Sequence, residues 1–394
     1  MKMFLVLQQD LKKKIAQKSI IFGVTLGLSL SAIAFDNGFT TTQESAIQGS
    51  ALAQFELGSL YYAGKGVEQS YIKAAEWYKK AGAQGDILAQ RNLGTMYYEG
   101  KGSAQDYKEA AKWYRKAAEQ GDPSSQNTLG YIYESGKGLP QDYVQAADWY
   151  QRAANQGNAL AQKNLADLYS QGLGVALDNV KATEWYQNAA IQGEPIAQYN
   201  LGVNYETGKG VSQDYIKAVQ WYKQSANQGD TLAQANLGTM YSKGKGVPQN
   251  YERAVELFQS ASDQGVALAQ NNLGILYEKG LGVPQSYAKA LTLYKKAADQ
   301  DNPNAQFSLG SLYVSGHGVS QDYAKAFSYF QKSAEQGNDT AQYNLGAMYE
   351  WGLGVNQDLA TAIEWYKKAA NQGNAIAQKH LEQIDNISQK DKQR

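Results

Sequence analysis

The sequence lacks cysteine entirely and has only two histidines, His317 and His380. Without cysteine there can be no disulfide, no thiolate zinc site and no cysteine nucleophile. Neither histidine has a cluster of acidic residues at metal-ligand spacing, so we expect both side chains to be solvated, with no metal and no cofactor. Charge of one sign is not in excess either, since 37 basic residues balance 37 acidic ones. This balance gives no indication of binding to nucleic acid.

Long hydrophobic runs are also missing, except for residues 19–34 near the N-terminus. Lysines precede this run, and it ends in Ala32-Ile33-Ala34, which is typical of a secretory signal peptide cleaved near Ala34. The alternative is an uncleaved membrane anchor. However, sixteen helical residues span only about 24 Å, which is less than the roughly 30 Å of a hydrocarbon core. We therefore predict a signal peptide over 1–34, a periplasmic or secreted protein, and no stable membrane insertion after cleavage.

Glycine is abundant, and its positions reveal an internal repeat of 36 residues. A Gly-x-Gly triplet occurs nine times at this spacing, from Gly64 to Gly354. An Ala-Gln or Ser-Gln pair opens the units, and Gln-Gly closes nearly every one. In the unit that contains Arg91, residues 87–99 and 106–121 carry apolar residues three and four apart, which predicts two amphipathic helices. We call them helix A and helix B. No strand pattern appears.

Helix boundaries are marked by capping residues and prolines. Helix B follows a serine, aspartate or asparagine in all nine units, and these side chains cap helix N-termini. Three of the six prolines lie in the first turn of a helix A, where a missing N–H is harmless. The other three lie two residues before a helix B cap. The prolines are Pro123, Pro195 and Pro303, followed by Pro140, Pro248 and Pro284.

One unit of two helices cannot bury both of its apolar faces, so the units must stack into an all-α solenoid. We predict an N-terminal cap over 35–49, nine repeats over 50–373 and a C-terminal capping helix over 374–384. The polar residues 385–394 are predicted to be disordered.

The repeated motif resembles the Sel-one-like repeat family, which is related to tetratricopeptide repeats. It reads Ala-Gln-x-x-Leu-Gly-x-x-Tyr, then Gly-x-Gly-Val, then Asp-Tyr-x-x-Ala-x-x-Trp-Tyr-x-x-Ala-Ala-x-Gln-Gly, and the resemblance covers about 50–384. It implies a right-handed α-solenoid that binds other proteins. Members of this family are typically adaptors in secretion, envelope assembly, host interaction or protein quality control.

Two motifs suggest enzymatic chemistry, and we interpret both as structural. Gly100-Lys101-Gly102 could cradle a phosphate, but no strand precedes it, and leucine or histidine replaces the lysine in other repeats. Ser70-x-x-Lys73 and its counterpart at Ser286 match a pattern of penicillin-recognising enzymes, yet both serines occupy the cap position of helix B. We predict a protein that is not an enzyme. The alternatives are an enzyme that binds or hydrolyses cell-wall peptides or β-lactams, and a regulator of an envelope enzyme.

Three recurring residues receive structural interpretations. The glycine at the position of Gly94 is predicted to face the core beside the helix B ring at position 113 or 114. The tryptophans at the position of Trp113 are predicted to be core residues. The asparagines at the position of Asn92 either bond between adjacent repeats or present a polar row to a partner.

A candidate partner-binding surface lies on helix A, opposite its predicted core face. At 100° per residue, positions 91, 95, 98 and, at the edge, 99 fall on this side. We call it the inner face, because helix A lines the concave surface in related solenoids. These positions vary most among repeats and carry aromatic and arginine side chains, which are typical of protein interfaces. The candidates are Phe55, Tyr62, Arg91, Tyr98, Lys163, Tyr199, Phe307, Tyr343 and Trp351.

The alternative interpretation is that Phe55, Tyr199, Phe307 and Tyr343 merely pack on neighbouring helices A. We favour binding of a protein or peptide by a monomeric chain, with no nucleic-acid partner.

Overall fold

The computed structural model describes residues 35–392, and within this range the chain forms twenty α-helices and no strand. The predicted signal peptide lies outside the described residues. Helix α1 spans Phe35–Ile47 and α20 spans Ala375–Lys392. Between them run nine pairs of helices A and B, as the repeat predicts.

In chain order the pairs are α2 Ala51–Ala63 and α3 Tyr71–Ala83, α4 Ile87–Glu99 and α5 Tyr107–Glu119, α6 Pro123–Ser135 and α7 Tyr143–Asn155, α8 Ala159–Gln171 and α9 Asn179–Ile191, α10 Pro195–Thr207 and α11 Tyr215–Asn227, α12 Thr231–Lys243 and α13 Tyr251–Asp263, α14 Ala267–Lys279 and α15 Tyr287–Ala298, α16 Pro303–Ser315 and α17 Tyr323–Glu335, and α18 Asp339–Trp351 and α19 Leu359–Asn371.

The chain divides into two compact units. Among the described residues, the first comprises 35–197 and 209–211, and the second comprises 198–208 and 212–392. The first unit thus contains the described helices α1 to α9, and the second contains most of α10 together with α11 to α20. Within each unit, every helix A packs against the helix B that follows it.

The predicted caps start the helices as expected. Asp106 accepts hydrogen bonds from the backbone N–H groups of Lys108 and Glu109 at the start of α5. Asp86 does the same for Ala89 in α4. These bonds satisfy donors that have no partner within the helix.

The Gly-x-Gly triplet is a turn, as predicted. Gly100 ends α4 in the left-handed conformation at φ 72°. Gly102 also has positive φ, and a Cβ placed on it would lie 2.4 Å from the carbonyl oxygen of Tyr71 in the preceding helix B. The first glycine therefore ends helix A, whereas the second allows the loop to touch the previous repeat.

A second recurring glycine lets helices A and B cross closely. A Cβ on Gly130 would lie 2.6 Å from the ring of Tyr150, which is fully buried. Gly94 faces Tyr114 in the same way. The prediction of a core-facing glycine is confirmed, and the ring beside it is the one at position 114.

The tryptophans of helix B fill the groove between the preceding helix B and their own helix A. Trp149, for example, clusters with Ala118 and Leu129. Trp113 and Trp149 are buried, which confirms their prediction as core residues. The tryptophans of other repeats are only half-buried, and a cation covers the ring in several of them, as Lys368 does over Trp365 at 3.7 Å.

A ladder of glutamines joins successive repeats, and it explains why Ala-Gln and Gln-Gly recur. Gln126 Nε2 donates to the carbonyl oxygen of Ala118 at 3.0 Å, and Gln156 Nε2 donates to Gln126 Oε1 at 2.7 Å. Eight of the nine repeats make this glutamine pair. The predicted asparagine ladder has a link in Asn164, which donates to Asn127 at 3.0 Å. Asn236 and Asn272 at the same repeat position also donate to the preceding repeat, to Tyr222 at 3.2 Å and to Thr239 at 3.4 Å.

Both ends of the described chain are helical. Ala46 of α1 is buried against Ala53 and Leu57 of α2. At the other end, α20 continues to Lys392, well past residue 384. The backbone of 385–392 is helical, and the prediction of a disordered tail is wrong for these residues. Neither glycine nor proline stands after Asn374 to stop the helix.

Candidate partner-binding face

The candidate residues of the inner face differ widely in exposure. Trp351 is 66% exposed, whereas Tyr98, Lys163 and Tyr199 are buried. The prediction that these positions point away from the core is therefore wrong for those three residues. The half-buried candidates are Phe55, Tyr62, Arg91, Phe307 and Tyr343.

Aromatic side chains at the position of Arg91 pack against the next helix B. Their partner is the same ring that fills the space beside the core glycine. The pairs and their centroid distances are Phe55–Tyr78 at 5.8 Å, Tyr199–Tyr222 at 6.0 Å, Phe307–Phe330 at 5.6 Å and Tyr343–Tyr366 at 5.3 Å. Such contacts hold the inner-face rings in place before any partner arrives.

The two cations predicted for this face are neutralised within the first unit. Arg91 pairs with Asp122 at 3.0 Å. Lys163 lies 3.4 Å from Asp167, which also accepts a hydrogen bond from Tyr186 at 2.6 Å. Burial of Lys163 is possible because this carboxylate accompanies it.

Loop lysines support two tyrosines of the face. Lys101 donates to the hydroxyl of Tyr62 at 3.2 Å, and Lys137 donates to that of Tyr98 at 3.2 Å. The hydrogen bond that Lys101 donates to Glu99 is the main cause that raises the pKa of Lys101, so this side chain stays charged. The middle residue of the Gly-x-Gly turn thus positions an aromatic ring of the preceding repeat.

Carboxylates of the inner face were missed by the sequence analysis. Four glutamates at position 98 each accept a hydrogen bond from a buried helix B tyrosine. The pairs are Glu134–Tyr150, Glu206–Tyr222, Glu278–Tyr294 and Glu350–Tyr366. Comparison of the repeats could have revealed them, because phenylalanine replaces this tyrosine in two repeats, and neither of those has the glutamate.

Burial raises the pKa of these tyrosines, and the neighbouring carboxylate raises it further. This holds for Tyr150 in the first unit and for Tyr222, Tyr294 and Tyr366 in the second. Each hydroxyl consequently remains a proton donor, and each carboxylate keeps a fixed orientation on the inner face.

The two histidines have different surroundings. His380 lies 2.9 Å from the Glu350 carboxylate and 4.7 Å from the ring of Tyr366, so the prediction that it is solvated is wrong. The helical wheel of the repeat did not indicate this contact, because His380 lies in the capping helix α20, outside the nine repeats. His317 is exposed, as expected, and stacks on Tyr287 at 4.7 Å.

The serines of the penicillin-enzyme pattern are helix caps. Ser70 Oγ accepts from the backbone N–H of Lys73, and Ser286 Oγ accepts from that of Lys289. Within the described part of the chain, no group of histidine and acidic side chains could hold a metal ion. None of the helices over 35–392 is long and apolar enough to cross a membrane.

Comparison with known families and structures agrees with this architecture. The Sel1 repeat profile matches nine consecutive segments, namely 51–86, 87–122, 123–158, 159–194, 195–230, 231–266, 267–302, 303–338 and 339–374. The chain belongs to the Sel1 repeat family. Sel1 repeat proteins are generally non-catalytic scaffolds suited to protein–protein interaction.

Two solved Sel1 structures resemble the chain. One is c5321, a protective antigen of uropathogenic Escherichia coli strains with an SLR fold, at 36% identity and TM-score 0.72, covering 88% of this chain and 82% of that one. The other is a Sel1 repeat protein from Oxalobacter formigenes, at 33% identity and TM-score 0.54, covering 63% of this chain and 96% of that one. A search of curated proteins gave no match.

Proposed function

We propose that this Sel1 repeat protein is an exported, non-enzymatic scaffold or adaptor that binds protein or peptide partners along the inner face. The observation that carries the proposal is a row of preordered aromatic and acidic side chains at the positions that vary most among nine otherwise similar repeats. Variation at these positions, beside core positions that recur in most repeats, supports the proposal that this face is adapted to something outside the repeat.

We propose different tasks for the candidate residues according to their exposure. The contact residues are Trp351, which is exposed, together with half-buried Phe307 and Tyr343 in the second unit and half-buried Phe55, Tyr62 and Arg91 in the first. Tyr98, Lys163 and Tyr199 are buried and act as supports. Rigid aromatic anchors bind well because little conformational entropy remains to be lost.

The acidic residues indicate the charge of a partner for the second unit. Glu206 and Glu278 contact a tyrosine hydroxyl, and the described part of the chain provides no cation within ion-pair distance of either. A partner segment with lysine or arginine would complement them.

Affinity capture with paired variants tests this surface. The chain with Trp351→Ala and Phe307→Ala should lose its partner, since both changes remove inner-face rings. A control with Val144→Ala and Ile216→Ala removes exposed apolar side chains of helices B and should keep it. Equal capture by both double variants would contradict binding at the inner face.

Export is tested separately. N-terminal sequencing of the chain from the envelope fraction should show a mature protein that begins near residue 35. A cytosolic chain that retains residues 1–34 would contradict export while leaving the scaffold proposal untouched.

A further inference from the structure

The groove that holds tryptophan in most repeats is open in the repeat formed by α12 and α13. Leu257 stands where six repeats have a tryptophan such as Trp149, and Leu293 and Tyr329 occupy this position in the next two repeats. In the Trp149 repeat, the indole packs on Ala118 of the preceding helix B and on Leu129 of its own helix A. Leucine is smaller than an indole, but Leu293 is buried in the same core cluster as Leu273, so the exchange to leucine does not by itself distinguish the Leu257 repeat.

A cavity of about 470 Å³ lies at this groove, within the second unit. Four of its lining residues, which we call the apolar floor, are Ala226, Leu237, Tyr241 and Leu257. The other six are polar or charged, namely Lys223, Asn227, Gln234, Arg253, Glu256 and Ser260. Ala226 and Leu237 occupy the repeat positions of Ala118 and Leu129, which contact Trp149 in its own repeat. The volume is in the range of pockets that bind small organic groups.

The glutamine ladder is interrupted at the same place. In eight repeats the closing glutamine donates to the opening one, but Gln264 donates only to the carbonyl oxygen of Ser260, at 3.4 Å. Gln234 instead accepts from the Ser260 hydroxyl at 3.0 Å and is half-buried, whereas most of its counterparts are buried. The edge of the cavity is therefore open to solvent where other repeats are closed.

Cations rim this opening. Lys223 lies over the Tyr241 ring at 5.7 Å, and Arg253 pairs with the exposed Glu256. In filled grooves the cation over the indole lies three residues later on the same helix, as Lys116 does over Trp113 at 4.2 Å. Here Ser260 occupies that position, and Lys223 comes from the preceding helix B. A cation beside the apolar floor favours binding of an electron-rich aromatic ring over binding of an aliphatic side chain.

We propose that this cavity binds a tryptophan side chain of a partner protein. The inserted indole would contact Ala226 and Leu237 as Trp149 contacts their counterparts, with Lys223 near the face of the ring. This site lies on the groove between helices B and A and does not depend on binding at the inner face.

Fluorine NMR with N-acetyl-5-fluorotryptophan amide as the probe tests the site. The wild-type protein should broaden the probe resonance, and Leu257→Trp should restore the width of the free probe, because the cavity is then filled by the residue that six other repeats carry. Trifluoroleucine amide should show less broadening than the indole probe. Broadening that persists in Leu257→Trp, or that is equal for both probes, would overturn the proposal.

A charge pair supplies a second variant in case Leu257→Trp folds poorly. Lys223→Glu should weaken the broadening, whereas Lys295→Glu, at the same position two repeats later, should leave it unchanged. Equal effects of the two reversals would contradict a cation at this rim.

Sedimentation velocity identifies the source of the indole. The proposal predicts a chain whose association state does not change with Leu257→Trp. The wild-type chain could instead self-associate, with the association lost in both Leu257→Trp and Trp351→Ala. That result would mean that the cavity holds Trp351 of a second copy, and it would overturn the proposal of a different partner protein.

Discussion

At the scale of single residues, the contact between one glycine and one ring sets the distance between helices A and B. Gly130 has no room for a methyl group beside Tyr150, and Gly274 meets Tyr294 in the same way. Sequence analysis predicted this glycine from its place on the core side of helix A. It could not decide whether the side chain at position 113 or the one at position 114 contacts the glycine, because the choice depends on the rotation of helix B about its axis.

Gly130→Ala should destabilise the protein. The new Cβ would lie 2.6 Å from the ring of Tyr150, and overpacking of this kind costs about 1–3 kcal/mol, of which about 1 kcal/mol is offset by the better helix propensity of alanine. Urea unfolding measures the change. As a control, Ala166→Gly at the same repeat position should cost no more than about 1 kcal/mol. A higher stability of Gly130→Ala would contradict the close contact.

Tyr294→Phe should make stability less sensitive to alkaline pH. Burial and Glu278 raise the pKa of Tyr294 above its ordinary value. Below pH 10 the tyrosine is protonated in both the folded and the unfolded chain, so its contribution is fully present. Above pH 10 the unfolded chain ionises first, and stability falls by up to about 1.4 kcal/mol per pH unit for each such tyrosine.

The measurement is the free energy of unfolding of wild type and Tyr294→Phe at pH 9 and pH 11. The variant should lose less stability over this interval, and the fold should survive because Phe258 and Phe330 occupy the same repeat position. Identical losses of unfolding free energy for the two proteins would mean that the folded structure does not raise the pKa of Tyr294.

At the scale of helices, local sequence signals determine where most elements begin and end. Aspartate, asparagine and serine caps start the helices, and glycine in the left-handed conformation ends every helix A for which the structure gives a cap. The exception is α20. Loss of the glycine pattern suggested a short helix, yet the absence of a stop signal lets it continue.

The glutamine ladder makes a prediction between elements. Gln156→Ala removes the 2.7 Å bond to buried Gln126, and an unsatisfied buried acceptor costs about 1–3 kcal/mol. Gln264→Ala is the matched control, because its only described side-chain bond is the 3.4 Å contact with Ser260. Its cost should stay within about 0.5 kcal/mol. Equal losses of unfolding free energy would contradict the ladder.

The candidate face was only partly predictable, and the helical wheel explains why. A wheel treats helix A as isolated, so positions 91 and 98 appear to face away from the core. In the structure, the helix B ring lies beneath position 91 and buries Tyr199. The loop lysine of the next repeat likewise contacts Tyr98. Such contacts come from helices and loops that follow in sequence, which a wheel of one helix does not include.

At the scale of the whole molecule, the repeat number and the solenoid class follow from the 36-residue period alone. The departures from the period carry the functional information. Glutamates at position 98 recur with tyrosine partners, and Leu257 replaces a tryptophan. Both departures are visible in the sequence, but only their three-dimensional neighbours show that one makes an acidic row and the other opens a cavity.

Site-specific photocrosslinking in living cells is the most direct test of the central claim that the inner face binds a protein partner. Benzoylphenylalanine would replace Trp351 or Phe307 on the inner face and, as controls, Lys295 and Glu364 on helices B. We predict one shared protein adduct from the two inner-face positions and none from the helix B positions. Adducts from the helix B positions alone, or from no position, would contradict the account.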